Sequence, residues 1–440
     1  MISSLTQTSW KDCLEVAAKS DIGLRRYNNQ DAHAEDLAGS QQAFLDRGHL
    51  FLVADGMGAH AAGETASKKA AEVIPLAYRK LRDLPPPEAL REAVREANQE
   101  IFQCAQANEN FRGMGTTVSA LAVLPSGAWI AQVGDSRVYR CRGDVIEQLS
   151  QDHSLAWELR RLPEDIRPQY VPKNIITRSL GPQMDVEVDL EGPFPVQPGD
   201  IFVLCTDGLS GQVSDEEIGQ IVRALPPAEA VETLVNLANL RGGPDNITVT
   251  VVRVKATAHC ASSGDATGDA VFPARSRWIR LAGYLCIAVG IIGFAVALFG
   301  VAQLKLLAHP SVWGILILPL VALFFGLYLL SHPAQTDGPV LRLGNPSPPY
   351  STANCAFRRE TLENLLQILA ELEDAARQEN WDIDWSLLEK LRTSAVATRD
   401  DRLGEAIADA CRAINHVMTR ARQQRRQTHP APNDPFFRQL

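Results

Sequence analysis

The sequence lacks the paired cysteines that mark a zinc site or a disulfide framework. Its eight cysteines are scattered over 440 residues, and no two of them form a Cys-x-x-Cys pair. Such spacing is typical of a chain from a reducing compartment. The N-terminal stretch MISSLTQTSWKDCLEV has no apolar core, so we predict no signal peptide.

An excess of positive charge is also missing. The 43 basic and 52 acidic residues give a net charge of −9, which argues against nucleic acid as a partner. No Gly-Lys-Ser/Thr follows a glycine loop, which excludes a Walker-type nucleotide site. The stretch LFLVADGMGAH has the glycine spacing of a dinucleotide fingerprint. However, the helix after it runs into RDLPPPEAL and a second helix instead of a strand, so we reject that interpretation.

Long uncharged runs, by contrast, are present late in the chain, at residues 281–304 and 312–331. A helix that spans a bilayer needs roughly 20 apolar residues. We therefore predict a transmembrane hairpin over residues 279–331. Three arginines precede the first run, while the loop between the runs has only Lys305 as a fixed positive charge. The positive-inside rule then places both flanking regions in the cytoplasm.

Composition divides the rest of the chain. Leucines at helical spacing between Leu362 and Leu372, and apolar residues between Leu403 and Val417, predict a small helical C-terminal region. We see no chemical motif there and consider it a candidate for binding a protein partner. The predicted segments are a soluble catalytic domain (14–256), a flexible linker (257–276), the membrane hairpin (279–331), a Pro/Gly-rich linker (332–354) and the helical region (355–428).

The soluble region mixes strands and helices without strict alternation. Apolar runs predict strands at 50–54, 116–123, 129–133, 138–140, 201–205 and 247–252. Helical patterns cover 64–81, 87–107, 215–225 and 227–240. Two helices, several strands and two more helices are not the order of a parallel nucleotide-binding sheet. The pattern favours an α+β fold with antiparallel sheets covered by helices.

Aspartates gather at the predicted strand ends. Any one of them is most simply a turn residue, but five in one region are harder to explain in that way. Clustered carboxylates repel one another and resist ionisation without a counter-charge, which a divalent cation supplies. Oxygen ligands without a His or Cys pattern indicate Mg²⁺ or Mn²⁺ rather than zinc. The five are Asp31, Asp55, Asp135, Asp207 and Asp245.

At these residues the chain resembles the protein phosphatase 2C family of metal-dependent serine/threonine phosphatases, in its bacterial form. The family pattern Asp-x-Gly-x-x-Arg-x-x-Asn-x-Asp is matched from Asp21 to Asp31. VADGMGAH, GMGTT, VGDSRVYR, SQDHS, ITRSLG, CTDGLS and GGPDNITV then follow in the family's order. The resemblance covers roughly residues 14–256 and does not extend to the hairpin or the C-terminal region.

The resemblance implies a sandwich of two antiparallel sheets flanked by helix pairs, with two or three Mn²⁺ or Mg²⁺ ions at one edge. It implies that Asp55 bridges two ions and that Gly56 offers its backbone carbonyl. Asp207 and Asp245 would bind the first ion, Asp31 the second, and Asp135 with Asp207 a third. Arg26 would grip the phosphate, since a planar guanidinium can pair with two oxygens. Phosphoserine and phosphothreonine proteins, and a cognate kinase, are the implied partners.

The sequence departs from the family pattern at two informative positions. Gln30 stands where many members carry glutamate, so the charge around the second ion is smaller. Met57 lies near the position where eukaryotic members have a histidine that acts as general acid, which leaves the proton donor open. Because of Gln30 we keep a second hypothesis, a catalytically weak phosphatase-like membrane sensor or scaffold.

Overall fold

The strands of this protein form two antiparallel β-sheets. The computed structural model describes residues 13–59, 61–160, 168, 175–255, 347–397, 399 and 402–428. Its strands are β1 (Leu14–Asp21), β2 (Asp31–Asp36), β3 (His49–Met57), β4 (Gly115–Thr116), β5 (Val118–Leu124), β6 (Gly127–Val133), β7 (Arg137–Arg142), β8 (Val145–Gln148), β9 (Asp189–Phe194), β10 (Ile201–Cys205), β11 (Ile247–Val254) and β12 (Ser351–Asn354). One sheet has the order β1-β11-β10-β7-β8-β12, and the other has β2-β3-β5-β6-β9 with β4 beside β3.

Strand β3 shows how the two faces of a sheet are used. Phe51 and Val53 join a core that also holds Phe202 and Leu204 from the other sheet. The alternate residues Leu50 and Leu52 point the opposite way, into a core shared with helices. The four β3 residues from Leu50 to Val53 are each at most 1% exposed. Successive side chains of a strand face opposite sides, so a strand covered on both faces reads as a continuous apolar run.

Helices cover the outer faces of both sheets. The α-helices of the described residues are α1 (Gln41–Arg47), α2 (Ala62–Lys80), α3 (Pro86–Ala107), α4 (Leu155–Arg160), α5 (Asp207–Ser210), α6 (Asp215–Ala224), α7 (Pro227–Leu240), α8 (Arg359–Gln378), α9 (Trp385–Ala397) and α10 (Leu403–Thr428). The pair α2 and α3 packs on the second sheet, and the pair α6 and α7 packs on the first. The predicted α+β sandwich of two antiparallel sheets with flanking helix pairs is confirmed.

The C-terminal region packs onto the first sheet and its helices. Strand β12 pairs antiparallel with β8 and becomes the edge strand, although it lies in the stretch predicted as a linker. Apolar residues of α8, α9 and α10, such as Leu365, Leu388 and Ile414, share one core with Ile218 of α6 and Leu234 of α7. The described residues between 13 and 255 and between 347 and 428 therefore form one compact unit.

The predicted membrane spans, 281–304 and 312–331, lie outside the described residues. Among the described residues, no helix combines the length and apolar character that crossing a bilayer requires.

Among the described cysteines, five are free thiols: Cys104, Cys141, Cys205, Cys355 and Cys411. Cys13 takes part in a disulfide bond, which departs from the expectation of reduced cysteines throughout.

Gly219 of α6 gives a test of the C-terminal docking. A Cβ at Gly219 would lie 2.4 Å from the Cβ of Cys355, which is the residue directly after β12. We expect Gly219→Ala to push β12 away from β8 and to cost about 1–3 kcal/mol, the usual range for overpacking. Hydrogen exchange of the Ser351–Asn354 amides should become faster. Gly39→Ala is the control, because a Cβ at Gly39 has no neighbour within 4 Å. Unchanged exchange in the Gly219 variant would contradict the packing described above.

Candidate metal centre

The sheets bring the predicted aspartates to one edge of the sandwich. Asp31 of β2 lies directly opposite Asp55 of β3 in the strand register. Asp207 is the first residue of α5, two residues after the end of β10 in the other sheet. Asp245 precedes β11, the neighbour of β10, and Asp135 lies in the turn between β6 and β7. Residues far apart in sequence thus meet because their strands end at the same place.

These carboxylates lie close enough to interact electrostatically, with Asp31 and Asp135 buried and the other three half-buried. Burial raises the pKa of Asp55 well above its usual range, and the charges of the other four aspartates raise it further. Burial also raises the pKa of Asp31 to about 7 and that of Asp135 to about 7, with Asp207 adding to both. The pKa of Asp207 is raised by burial and by Asp245. All these pKa values are raised because negative charges lie close together and are shielded from water. For the same reason the cluster attracts cations strongly.

Three carboxylate oxygens of the cluster lack a hydrogen-bond partner in the described part of the chain and are therefore available to a metal ion. The Oδ1 atoms of Asp31, Asp135 and Asp207 are buried and, among the described residues, have no hydrogen-bond partner. No three acidic, histidine or cysteine side chains in that part of the chain converge into a ready-made site for a single ion. Neighbouring ionised carboxylates repel one another, and a bound cation relieves that repulsion. Free carboxylate oxygens are the donors that Mg²⁺ and Mn²⁺ prefer, so the residues fit these ions.

Arg26 brings positive charge to the rim of the cluster. Its Nη2 donates to Asp245 Oδ2 at 2.7 Å. Hydrogen bonding and charge interaction with Asp245, with further contributions from Asp55 and Asp207, raise the pKa of the guanidinium although burial opposes the rise. The side chain is 48% exposed. Arg26 is therefore both tied to the cluster and open to an anionic ligand from solution.

Gly56 lies where the backbone approaches most closely. A Cβ there would be 2.1 Å from the Gly63 carbonyl oxygen and 2.6 Å from that of Gln30. The Gly56 N–H donates to the Gln30 carbonyl at 3.0 Å. Thr117 in turn donates its N–H to the Asp55 carbonyl at 2.9 Å. Only glycine lets the chain after Asp55 fit between α2 and the loop that precedes β2.

Gln30 closes the same loop from the other side. Its Nε2 donates to the Gly58 carbonyl at 3.2 Å. A glutamate at this position, ionised, could accept hydrogen bonds but could not donate this one. The departure from the family pattern thus exchanges a negative charge for a hydrogen bond within the loop that carries Asp55 and Gly56.

Two residues that hold the cluster together were not assigned roles from the sequence. Asn246 accepts the Gln30 N–H at 2.8 Å through Oδ1 and donates to the Ile22 and Asn28 carbonyls. Thr206 donates its hydroxyl to Asp31 Oδ2 at 2.8 Å. Both follow or precede a predicted ligand by one position. That adjacency was the available signal, but short polar side chains beside a strand end are too common to single out.

Comparison with known proteins agrees with this arrangement. The family model of protein phosphatase 2C matches residues 25–239. The protein phosphatase PhpP of Streptococcus pneumoniae serotype 2 is 37% identical over 250 residues, which cover 54% of this chain and 97% of PhpP. The serine/threonine phosphatase stp of Listeria innocua is 36% identical over 242 residues, covering 53% of this chain and 93% of stp.

Among solved structures, the catalytic domain of the serine/threonine protein phosphatase PstP, in complex with two manganese ions, is 33% identical. The match has a TM-score of 0.46 and covers 55% of this chain and 98% of that domain. The assignment of this chain to a family rests on the sequence matches and not on the structural match. The chain belongs to the protein phosphatase 2C family, as the resemblance of its motifs predicted. It is an enzyme of the serine/threonine protein phosphatase class, whose members depend on Mn²⁺ or Mg²⁺.

Proposed function

We propose that this chain is a membrane-anchored phosphatase that hydrolyses phosphoserine and phosphothreonine in proteins with the help of Mn²⁺ or Mg²⁺. The observation that carries the proposal is the partly buried cluster of mutually repelling carboxylates with Arg26 at its rim. Relatives named as serine/threonine phosphatases support the substrate class. The two manganese ions bound to PstP support the cofactor.

Each carboxylate has a proposed place around the ions. Asp55 would serve two of them, Gly56 would offer its backbone carbonyl, and Asp207 and Asp245 would hold the first. Asp31 would serve the second, and Asp135, with Asp207, a third. When bound, such ions lower the pKa of a water molecule and neutralise the charge on the phosphate. The protein's own part is to hold the carboxylates in place: Thr206 does so through its hydrogen bond to Asp31, and Asn246 fixes the backbone of the loop before β2.

Arg26 is proposed to bind the phosphate of the substrate. Its exposed guanidinium can form paired hydrogen bonds to phosphate oxygens. We expect Arg26→Ala to raise KM about tenfold, equivalent to the loss of one charge-assisted hydrogen bond, with kcat changed less than about threefold. Initial rates with a phosphothreonine peptide measure both constants.

Arg25→Ala provides the matched control for this prediction. Arg25 is the neighbouring exposed arginine, and its backbone N–H, not its side chain, holds the loop to the Gly243 carbonyl at 3.2 Å. Its replacement should leave KM within about twofold of the wild-type value, because the same net charge is removed without the phosphate contact. Equal increases in KM for the two variants would show that only the general positive charge of this loop matters.

The membrane anchor rests on the apolar runs at 281–304 and 312–331. The described regions before and after these runs share one core, which requires them to lie on the same side of a membrane. An even number of crossings, such as the proposed hairpin, meets that requirement. The arginines before the first run favour the cytoplasm for both regions. Recovery of the full chain in a carbonate-washed membrane fraction is the expected result, and recovery in the supernatant would contradict the anchor.

Proteins phosphorylated by a cognate serine/threonine kinase are the proposed substrates. The test uses three peptides of one sequence that carry phosphoserine, phosphothreonine or phosphotyrosine, incubated with the full chain and Mn²⁺. Phosphate should be released from the first two much faster than from the third. A folded chain that releases phosphate from none of them would favour the alternative, a phosphatase-like sensor or scaffold.

A further inference from the structure

Helix α10 of the C-terminal region contacts the end of β1. The Arg26 loop, residues 22–30 between β1 and β2, begins there. Arg422 of α10 donates from Nη1 to Glu232 Oε1 of α7 at 3.0 Å. Its Nη2 lies 3.9 Å from Asp21 Oδ2, and the Arg422 side chain is only 18% exposed. Arg422 lies far outside residues 25–239, which match the family. A group from this chain's own extension thus reaches the base of the candidate metal centre.

Asp21 fixes the first turn of that loop. Its Oδ1 accepts the Gly23 N–H at 3.0 Å and an Asn239 Nδ2 hydrogen at 3.1 Å. Gly23 has φ +76°, and a Cβ there would lie 2.1 Å from the Asp245 carbonyl oxygen. The Asp21 carboxylate therefore holds a left-handed turn that is pressed against the backbone of Asp245.

This turn sets the position of Arg26. The N–H groups of Leu24 and Arg25 donate to the Gly243 carbonyl at 2.8 and 3.2 Å. Arg26 then reaches Asp245 Oδ2 at 2.7 Å. A continuous set of contacts therefore runs from Arg422 through Asp21 and the Gly23 turn to the Arg26 guanidinium.

The charges around Arg422 show why its own charge matters there. Glu232 accepts from Arg422 and also pairs with Lys19 of β1. Among the described residues, Lys19 pairs with Glu232, whereas Arg422 lies against both Glu232 and Asp21. The four side chains are between 18% and 27% exposed. Without Arg422, the Glu232 carboxylate would keep Lys19, whereas the partly buried Asp21 carboxylate would lose the Arg422 cation and turn toward solvent.

We propose that Arg422 is a positioning residue for the phosphatase site, acting through Asp21 to hold the Arg26 loop in its phosphate-binding position. The inference rests on the proposed function, because it concerns the same site. It makes the C-terminal region a part of the working enzyme: docking of α10 supports phosphate binding, and release of α10 weakens it.

The kinetic test compares Arg422→Gln with Arg412→Gln in the full chain. Arg412 lies on the same helix and pairs with Glu229 of α7 at 2.7 Å, away from the Arg26 loop. Arg422→Gln should raise KM for a phosphothreonine peptide about threefold to tenfold with little change in kcat. Arg422→Lys should recover part of the loss, and Arg412→Gln should resemble the wild type. Equal KM values in the two glutamine variants would overturn the proposal.

Hydrogen exchange of the metal-free protein separates this inference from the proposed function. Peptides that contain the Gly23, Leu24 and Arg25 amides should exchange about fivefold faster in Arg422→Gln and at the wild-type rate in Arg412→Gln. This readout needs no catalysis. If the wild type lacked metal-dependent hydrolysis but the exchange changed as expected, the proposed function would fail and the positioning role would stand. Unchanged exchange in Arg422→Gln would overturn the positioning role.

Discussion

Replacing Asp55 with asparagine is expected to lower kcat/KM by at least about 10³-fold, comparable with the loss of a central electrostatic group in other active sites. Asp55 is the carboxylate on which the charges of all four other aspartates act. An amide keeps the shape of the side chain but not its charge, so the attraction for divalent cations falls. Rates with a phosphothreonine peptide and saturating Mn²⁺ measure the effect.

The same substitution should not harm the fold, which makes the activity loss interpretable. Burial and neighbouring charges penalise the ionised form of Asp55 in the folded protein. The neutral amide avoids that penalty, so the variant in EDTA should melt at a temperature equal to or above that of the wild type. Near-normal turnover in Asp55→Asn would refute the assignment of the metal centre. A lower melting temperature would indicate that the carboxylate has a structural role instead.

Replacing Gly56 with alanine is expected to destabilise the protein by about 3 kcal/mol and to abolish activity. The added Cβ would meet the carbonyl oxygens of Gly63 and Gln30, which are backbone atoms and cannot rotate away. The segment after Asp55 would therefore move, together with the carbonyl that we assign to the metals. Urea denaturation measures the change in the free energy of unfolding.

Gly39→Ala is again the matched control, since a Cβ at Gly39 meets nothing within 4 Å and its φ is not in the left-handed region. Its free energy of unfolding should lie within about 1 kcal/mol of the wild-type value. A Gly56 variant as stable and as active as the Gly39 variant would contradict the close approach of the backbone at this position.

The architecture of the sandwich could be predicted because its strongest signals are local. The apolar run predicted at 201–205 is strand β10 as observed, and the helix predicted at 227–240 is α7. Short or half-exposed strands gave weaker signals. Strand β2, with the sequence DAHAED, is polar along one face and was not predicted. Its place in the sheet comes from pairing with β3, which no local pattern reveals.

The candidate site could be predicted from repeated Asp residues at strand ends together with the family motifs. The structure brings all five aspartates, Gly56 and Arg26 to one edge, while their proposed roles around the ions remain predictions. Docking of the C-terminal region could not be foreseen. Strand β12 is only the four residues STAN, and the contact of Arg422 with Asp21 joins positions about 400 residues apart. Such contacts depend on the tertiary fold and leave no periodic signal.

The central claim is that the carboxylate cluster is a divalent-cation site on which phosphatase activity depends. The most direct measurement is the rate of phosphate release from a phosphothreonine peptide by the full chain as free Mn²⁺ is raised from an EDTA-buffered zero. We predict no release in EDTA and a saturable increase with Mn²⁺, and a flat response in Asp55→Asn. A rate in EDTA equal to the rate in saturating Mn²⁺ would contradict the account.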